Sequence, residues 1–107
     1  MNNFIHKGRE RQSRGQLKSF EDLPLEKQEI FKTIKNKVVE IVGEEIDVYV
    51  FGSYHHGYWD ELSDYDIVTN QNRGLDLTTK LRETLQYKID VLYFQRAIDM
   101  YKLHLIV

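Results

Sequence analysis

Two aspartates, Asp64 and Asp66, lie two residues apart in this 107-residue chain, in a segment whose composition predicts a β-strand, Asp64–Thr69. Alternate residues of a strand face the same side, so we expect both carboxylates to leave one face of the sheet. Such a pair is costly near a core because the charges repel each other and lose hydration. A divalent cation removes that cost, and Mg²⁺ prefers oxygen ligands combined with substrate phosphates. The pair therefore predicts a magnesium site.

A third carboxylate, Asp90, lies in the middle of a later predicted strand, Tyr87–Phe94. Alone it would indicate an ion pair or an edge position, because an unpaired carboxylate is unfavourable in an apolar strand. The helix predicted over Leu75–Gln86 can bring this strand beside the first pair of aspartates. Three carboxylates on neighbouring strands can hold two metal ions, and Asp90 is then the candidate to help deprotonate an acceptor hydroxyl.

A Gly-Ser pair, Gly52 and Ser53, follows another predicted strand, Ile46–Phe51, and opens a polar loop that leads to the aspartates. Glycine lets backbone N–H groups approach a phosphate closely. A phosphate cradle beside metal-binding carboxylates indicates nucleotide chemistry.

The remaining elements predict a small α/β (α+β) domain with a mixed β-sheet and flanking helices. A helix is predicted from Pro24 to Val42, because apolar residues recur there at helical spacing and Gly43 can end it. Asn70–Gly74 is predicted to be a loop. Gln95–Ile106 predicts a last helix, although Leu103–Val107 also fits a strand.

The first 20 residues are basic and are predicted to form a flexible tail, whereas residues 21–107 are predicted to form one domain. The alternative for this tail is a basic arm that reaches an acidic or phosphate-rich partner. The net charge of -2 does not favour a general nucleic-acid binder, although residues 7–18 leave a local contact open.

Two absences in the sequence limit the kinds of site and location that we expect. There is no cysteine, which excludes disulfides and thiolate metal sites. There is also no long apolar run and no apolar signal-peptide core, so we expect a cytoplasmic protein without a membrane partner.

Gly-Ser, nine further residues, Ser-Asp-x-Asp and a later strand aspartate form a pattern that resembles the nucleotidyltransferase superfamily with the polymerase β-like fold. In its small size the chain resembles the minimal nucleotidyltransferases, and the resemblance to the superfamily covers Pro24 to Phe94. The resemblance implies two sets of site residues. They are the metal-binding and catalytic Asp64, Asp66 and Asp90, and the nucleotide-binding Gly52, Ser53 and Ser63.

The loop after Ser53 departs from the pattern of this family. Many minimal members read Gly-Ser-Arg-x-Arg-Gly, but Tyr54 and His56 stand at the two arginine positions here. The planar guanidinium groups that suit phosphates are therefore missing from the loop. Protonated His56 can supply the charge, which would make triphosphate affinity pH-sensitive, and Lys80, Arg82 or Lys88 are the other candidates.

The loop also contains other residues whose side chains can do chemistry. His55 and His56 do not predict a zinc site, because adjacent histidines point apart and no suitably spaced third ligand accompanies them. Tyr58 and Trp59 either pack the loop onto the sheet or stack on a base or a partner. The sequence leaves both interpretations open.

The resemblance implies a Mg²⁺-dependent enzyme, with Mn²⁺ as an alternative ion, that transfers a nucleoside monophosphate to an acceptor hydroxyl. ATP is the implied donor. The chain has no second domain to grip an acceptor, so a protein partner is implied, such as a HEPN-type toxin of which this chain would be the antitoxin. The alternative is a nucleotide- or partner-binding regulatory module of the same fold, which the missing loop arginines favour. A third hypothesis is nucleic-acid binding by residues 7–18, which we do not favour.

Overall fold

Three strands form a mixed sheet in the order β1-β2-β3, and helices connect and cover them. The computed structural model describes residues 13–70, 75–92, 95–100 and 102–107. The elements are a 3-10 turn (Phe20–Asp22), α1 (Leu25–Val42), β1 (Val48–Phe51), α2 (Gly52–His56), β2 (Tyr65–Thr69), α3 (Leu77–Leu85), β3 (Ile89–Leu92) and α4 (Gln95–Met100). The expected α+β fold with a mixed sheet is confirmed. Residues 1–12, most of the predicted loop after Asn70, and the end of the predicted third strand lie outside the described residues.

The long helix α1 follows the predicted pattern closely. Pro24 precedes it, and Gly43 ends it in the left-handed conformation with φ of 87°. Its buried apolar side chains, Phe31, Ile34 and Val38, lie on one face and are fully inaccessible to solvent. None of the helices in the described ranges is long and apolar enough to cross a membrane.

The sheet brings the segments with carboxylates together. β1 runs antiparallel to β2, which pairs Phe51 with Asp66, and β2 runs parallel to β3, which pairs Asp66 with Asp90. The parallel connection is made through α3, which begins after Asp76, whose carboxylate accepts the backbone N–H of Thr79 at 3.1 Å. The predicted crossover helix is therefore confirmed with a slightly later start.

Two local predictions were wrong. The segment after β1 is not an open turn, because Gly52–His56 forms the short helix α2 and Gly57 ends it at φ of 84°. Five residues are too few to show a helical period in the sequence. The predicted last helix does not reach Ile106, because α4 includes only Gln95–Met100 and the backbone of segment 103–107 bonds to β1.

The C-terminal segment 103–107 instead follows β1, as the strand alternative predicted. Val50 N donates to Leu105 O at 2.8 Å, and Val107 N donates to Val48 O at 2.9 Å. Leu103 and Leu105 are buried, whereas His104 and Ile106 are exposed. This alternation has the period of a strand and explains why the helix ends early.

Residues 13–17, which we call the N-terminal strap, lie against the end of α2. Arg14 N donates to the carbonyl of Gly57 at 2.9 Å. After the strap, Phe20 enters the core with 7% of its surface exposed. The boundary at residue 20 between a tail and a domain stays a prediction, but the described part of the basic segment contacts the rest of the protein.

Candidate active site

Three carboxylates lie together at the N-terminal ends of the parallel strands β2 and β3. Asp64 directly precedes β2, Asp66 lies within it, and Asp90 is the register partner of Asp66 on β3. One oxygen from each carboxylate lies within 4.8 Å of the others. Among the described residues, this is the one group of three or more potential ligand side chains with that geometry. We call it the carboxylate cluster.

The electrostatics of the carboxylate cluster favour a bound cation. Burial, and then the charges of Asp90 and Asp64, raise the pKa of Asp66 to about 6. Arg82 binds the cluster from its edge, with Nη2 2.6 Å from Oδ1 of Asp90 and Nε donating to Ile89 O at 2.7 Å. Both side chains of this ion pair are about half exposed, so solvent weakens it. One half-exposed guanidinium does not balance three carboxylates.

Gly52 connects the Gly-Ser pair to the carboxylate cluster. Its φ of +67° lies in the left-handed region, and a Cβ placed on it would lie 2.1 Å from Oδ2 of Asp66. Glycine is therefore required for two reasons, since any side chain would be strained and would also collide with the carboxylate. Gly52 gives the backbone a close approach to the charged oxygens.

A cleft of about 750 Å³ opens beside Gly52. Its lining residues are Ser13, Gln16, Phe51, Gly52, Ser53, His56 and Tyr58. Three of the predicted nucleotide-binding residues, Gly52, Ser53 and His56, are therefore together at one opening. The two strap residues were not predicted, because nothing local in the sequence indicates that the strap returns to this cleft.

Ser63, the fourth predicted nucleotide-binding residue, has its partners within the turn before β2. Its hydroxyl accepts the N–H of Asp60 at 2.8 Å and donates to Oδ1 of the same residue at 3.1 Å. The side chain is buried, with 8% exposed. These contacts fix the turn that delivers Asp64, and nucleotide contact by Ser63 stays a prediction.

The residue at the first missing arginine position, Tyr54, points into the core. It is 1% exposed and stacks between Trp59 and Tyr65, with both ring-centroid distances at 5.3 Å. Of the two loop aromatics, Trp59 fits the packing interpretation, and stacking of Tyr58 on a base or a partner stays a prediction. Trp59 is buried and packs on Tyr54, whereas Tyr58 is 46% exposed and lines the cleft.

Three histidines lie together at the C-terminal end of α2, and we call them the histidine cluster. The ring centroid of His55 lies 4.9 Å from that of His56 and 5.3 Å from that of His104. His55 is fully buried, and neither of its ring nitrogens has a hydrogen-bond partner. Burial, and then the charges of the two neighbouring histidines, lower its pKa to about 4. The sequence had no signal for the approach of His104.

Comparison with known proteins agrees with this geometry. Residues 28–106 match the family model described as polymerase beta, nucleotidyltransferase. No curated protein and no solved structure gives a significant match. The match covers most of the chain and includes the Gly-Ser pair and all three aspartates. The chain therefore belongs to the polymerase β-type nucleotidyltransferase family, whose members act on nucleoside triphosphates and typically use a divalent metal.

Proposed function

We propose that this protein is a Mg²⁺-dependent nucleotidyltransferase that moves AMP from ATP to an acceptor hydroxyl. The observation that carries the proposal is the position of Gly52. It lines the cleft and at the same time lies against Asp66 of the carboxylate cluster. A triphosphate in the cleft would thus be next to the residues suited to hold its metal ions.

The carboxylate cluster fits a divalent cation. Its ligand atoms are hard oxygens, its members lie within reach of a common ion, and the raised pKa of Asp66 indicates negative charge that is poorly balanced. Asp64, Asp66 and Asp90 would hold one or two such metal ions. When bound, Mg²⁺ neutralises the charge that develops on the triphosphate during transfer.

The remaining steps belong to side chains and backbone of this chain. Gly52 and Ser53 would hold the β- and γ-phosphates, Ser53 through its hydroxyl and its N–H. The acceptor oxygen attacks the α-phosphorus while the bond from that phosphorus to the bridging oxygen breaks, and pyrophosphate leaves. The hydroxyl proton passes to Asp90, which acts as the general base. Ser63 would position Asp64 through the turn that it fixes.

We further propose that the acceptor hydroxyl belongs to a partner protein. The resemblance to minimal nucleotidyltransferases supports an antitoxin role in which a HEPN-type toxin carries the modified hydroxyl. This refinement can fail while the transferase proposal stands.

The test is transfer of label from α-³²P-ATP with Mg²⁺ in an extract of source cells. Wild-type protein is compared with Asp64→Asn/Asp66→Asn and with Asp47→Asn, a control at an exposed carboxylate before β1. A labelled product with wild type and Asp47→Asn, absent with the double variant, is the expected result. A labelled protein band would also support the partner hypothesis, and a small labelled product would oppose it.

A second candidate function is a nucleotide-binding regulatory module without turnover. The observation that favours it is Tyr54, which is buried in an aromatic stack where many minimal members have a phosphate-binding arginine. Its expected result is nucleotide binding by wild type with no label transfer from any of the four nucleoside triphosphates. That outcome would replace the transferase proposal.

A further inference from the structure

The N-terminal strap is held against the end of α2 by main-chain hydrogen bonds. Arg14 N donates to Gly57 O at 2.9 Å, and Leu17 N donates to His55 O at 3.4 Å. From the other side, Nε2 of His104 lies 2.9 Å from the Leu17 carbonyl, to which it donates in the tautomer with its hydrogen on Nε2. The strap is therefore fixed by residues far from it in sequence.

Arg14 anchors the strap with its side chain. The guanidinium carbon lies 3.9 Å from the centroid of the Trp59 ring. Nη1 donates to the Trp59 carbonyl at 2.8 Å and to the Gly57 carbonyl at 3.3 Å. A planar guanidinium can stack and donate at the same time, which a lysine ammonium cannot do.

The strap can pack against the end of α2 only because residue 57 is a glycine. A Cβ on Gly57 would lie 2.1 Å from the carbonyl oxygen of Gly15, and Gly57 has a left-handed φ of +84°. The two backbones are therefore in direct contact, and any side chain at residue 57 would displace the strap.

Anchored in this way, the strap contributes two polar side chains to the cleft. Ser13 and Gln16 line it together with Ser53, His56 and Tyr58. Both strap side chains are exposed and uncharged, and each carries a hydrogen-bond donor. Arg14 and Leu17, the residues between and after them, make the contacts that hold the strap.

We propose that Ser13 and Gln16 donate hydrogen bonds to the pyrophosphate part of the bound triphosphate, and that Arg14 is the positioning residue that holds them there. The inference rests on the proposed function, which assigns the β- and γ-phosphates to Gly52 and Ser53. The strap then replaces donors that the loop lacks, because Tyr54 is turned into the core.

The test is calorimetric titration of the purified protein with Mg-ATP, with Mg-pyrophosphate and with AMP. We expect Gln16→Ala to weaken Mg-ATP and Mg-pyrophosphate binding by the same factor, about 3- to 10-fold, because one hydrogen bond is lost in each complex. AMP binding should not change. Asn36→Ala, which removes an exposed amide from α1, is the matched control and should bind as wild type does.

A second variant tests the anchor. Arg14→Ala is expected to weaken the binding of Mg-ATP and of Mg-pyrophosphate at least as much as Gln16→Ala does, because it releases the whole strap. It should also increase quenching of Trp59 fluorescence by acrylamide, since Trp59 is the only tryptophan and is 7% exposed beneath Arg14. Thermal unfolding of each variant verifies that the fold is retained.

Three results would overturn the inference. Unchanged affinities in the Ser13→Ala/Gln16→Ala double variant would do so while leaving label transfer, and thus the proposed function, untouched. Weaker binding of Mg-ATP with unchanged binding of Mg-pyrophosphate would show that Ser13 and Gln16 contact the nucleoside and not the pyrophosphate part. If wild type binds neither ligand, the inference and the nucleotide site fall together.

Discussion

The two ends of α2 bury polar groups in opposite ways. At the first end, Gly52 makes room for Asp66, whose carboxylate is crowded by two others beside an open cleft. At the other end, the ring nitrogens of His55 have no hydrogen-bond partner, while its backbone carbonyl accepts the N–H of Leu17 from the N-terminal strap. Both arrangements cost stability, but the carboxylate cluster lies against Gly52, which lines the cleft, whereas the ring of His55 is fully buried.

The difference lies in what can relieve each cost. Repulsion among carboxylates is relieved by a cation, so the unbound protein is prepared for a ligand. The cost of burying a neutral imidazole is reduced only by a hydrogen-bond partner, and protonation increases that cost because it buries a charge. We infer that crowded charge beside a cleft indicates a binding site, whereas an unpartnered neutral ring under a covering segment indicates a packing compromise.

The largest expected effect comes from a side chain at Gly52. We expect Gly52→Ala to abolish transfer and to lower the free energy of unfolding by roughly 3 kcal/mol, because strain and collision with Asp66 add together. Urea unfolding and label transfer measure the two losses. Gly43→Ala is the control, since it has φ of +87° and nothing within 4 Å of the added Cβ. It should cost about 1 kcal/mol from strain alone. Equal losses in both variants would show that Asp66 plays no part.

The second effect concerns His55 and pH. Its pKa is lowered to about 4 in the folded protein from 6.5, so the unfolded chain binds the additional proton between these values. Stability is therefore lost as pH falls from about 6.5 to 4, by about 3 kcal/mol from this fully buried group.

We expect His55→Leu to remove this acid loss, measured as the urea midpoint from pH 7 to pH 4. His104→Gln, which removes an exposed histidine and keeps a donor for the Leu17 carbonyl, should retain most of the loss. An unchanged acid profile in His55→Leu would show that the buried ring does not set it.

The smallest effect is expected at Asp66. Its pKa is raised to about 6 in the folded protein from 3.8, so the folded chain binds the additional proton between these values. The contribution of Asp66 to stability is therefore lost as pH rises from 3.8 to about 6, opposite to His55. Asp66→Asn should stabilise the protein in EDTA at pH 7 by about 1 kcal/mol, with solvent screening taken into account. Mg²⁺ should raise the melting temperature of wild type and leave that of Asp66→Asn unchanged. If Mg²⁺ raised the melting temperature of wild type and of Asp66→Asn equally, the ion would bind at a site other than Asp66.

The sequence predicted the parts of the site that depend on local pattern. A crossover helix between two strands was sufficient to place β3 beside β2, but the register that pairs Asp66 with Asp90 is a finding of the structure. The short α2, the strap and the approach of His104 were missed. Arg14 and Gly57 are 43 residues apart and Leu17 and His104 are 87 apart, so no local period indicates these contacts.

The pairing of segment 103–107 with β1 has a consequence for association between molecules. The strand order makes β1 an outer strand of the three, and a bare outer strand offers unpaired N–H and C=O groups to strands of other chains. Leu105 and Val107 occupy the Val50 N–H and the Val48 carbonyl. The segment thus pairs these backbone groups of β1, and releasing it would expose them to strands of other chains along an edge rich in β-branched residues.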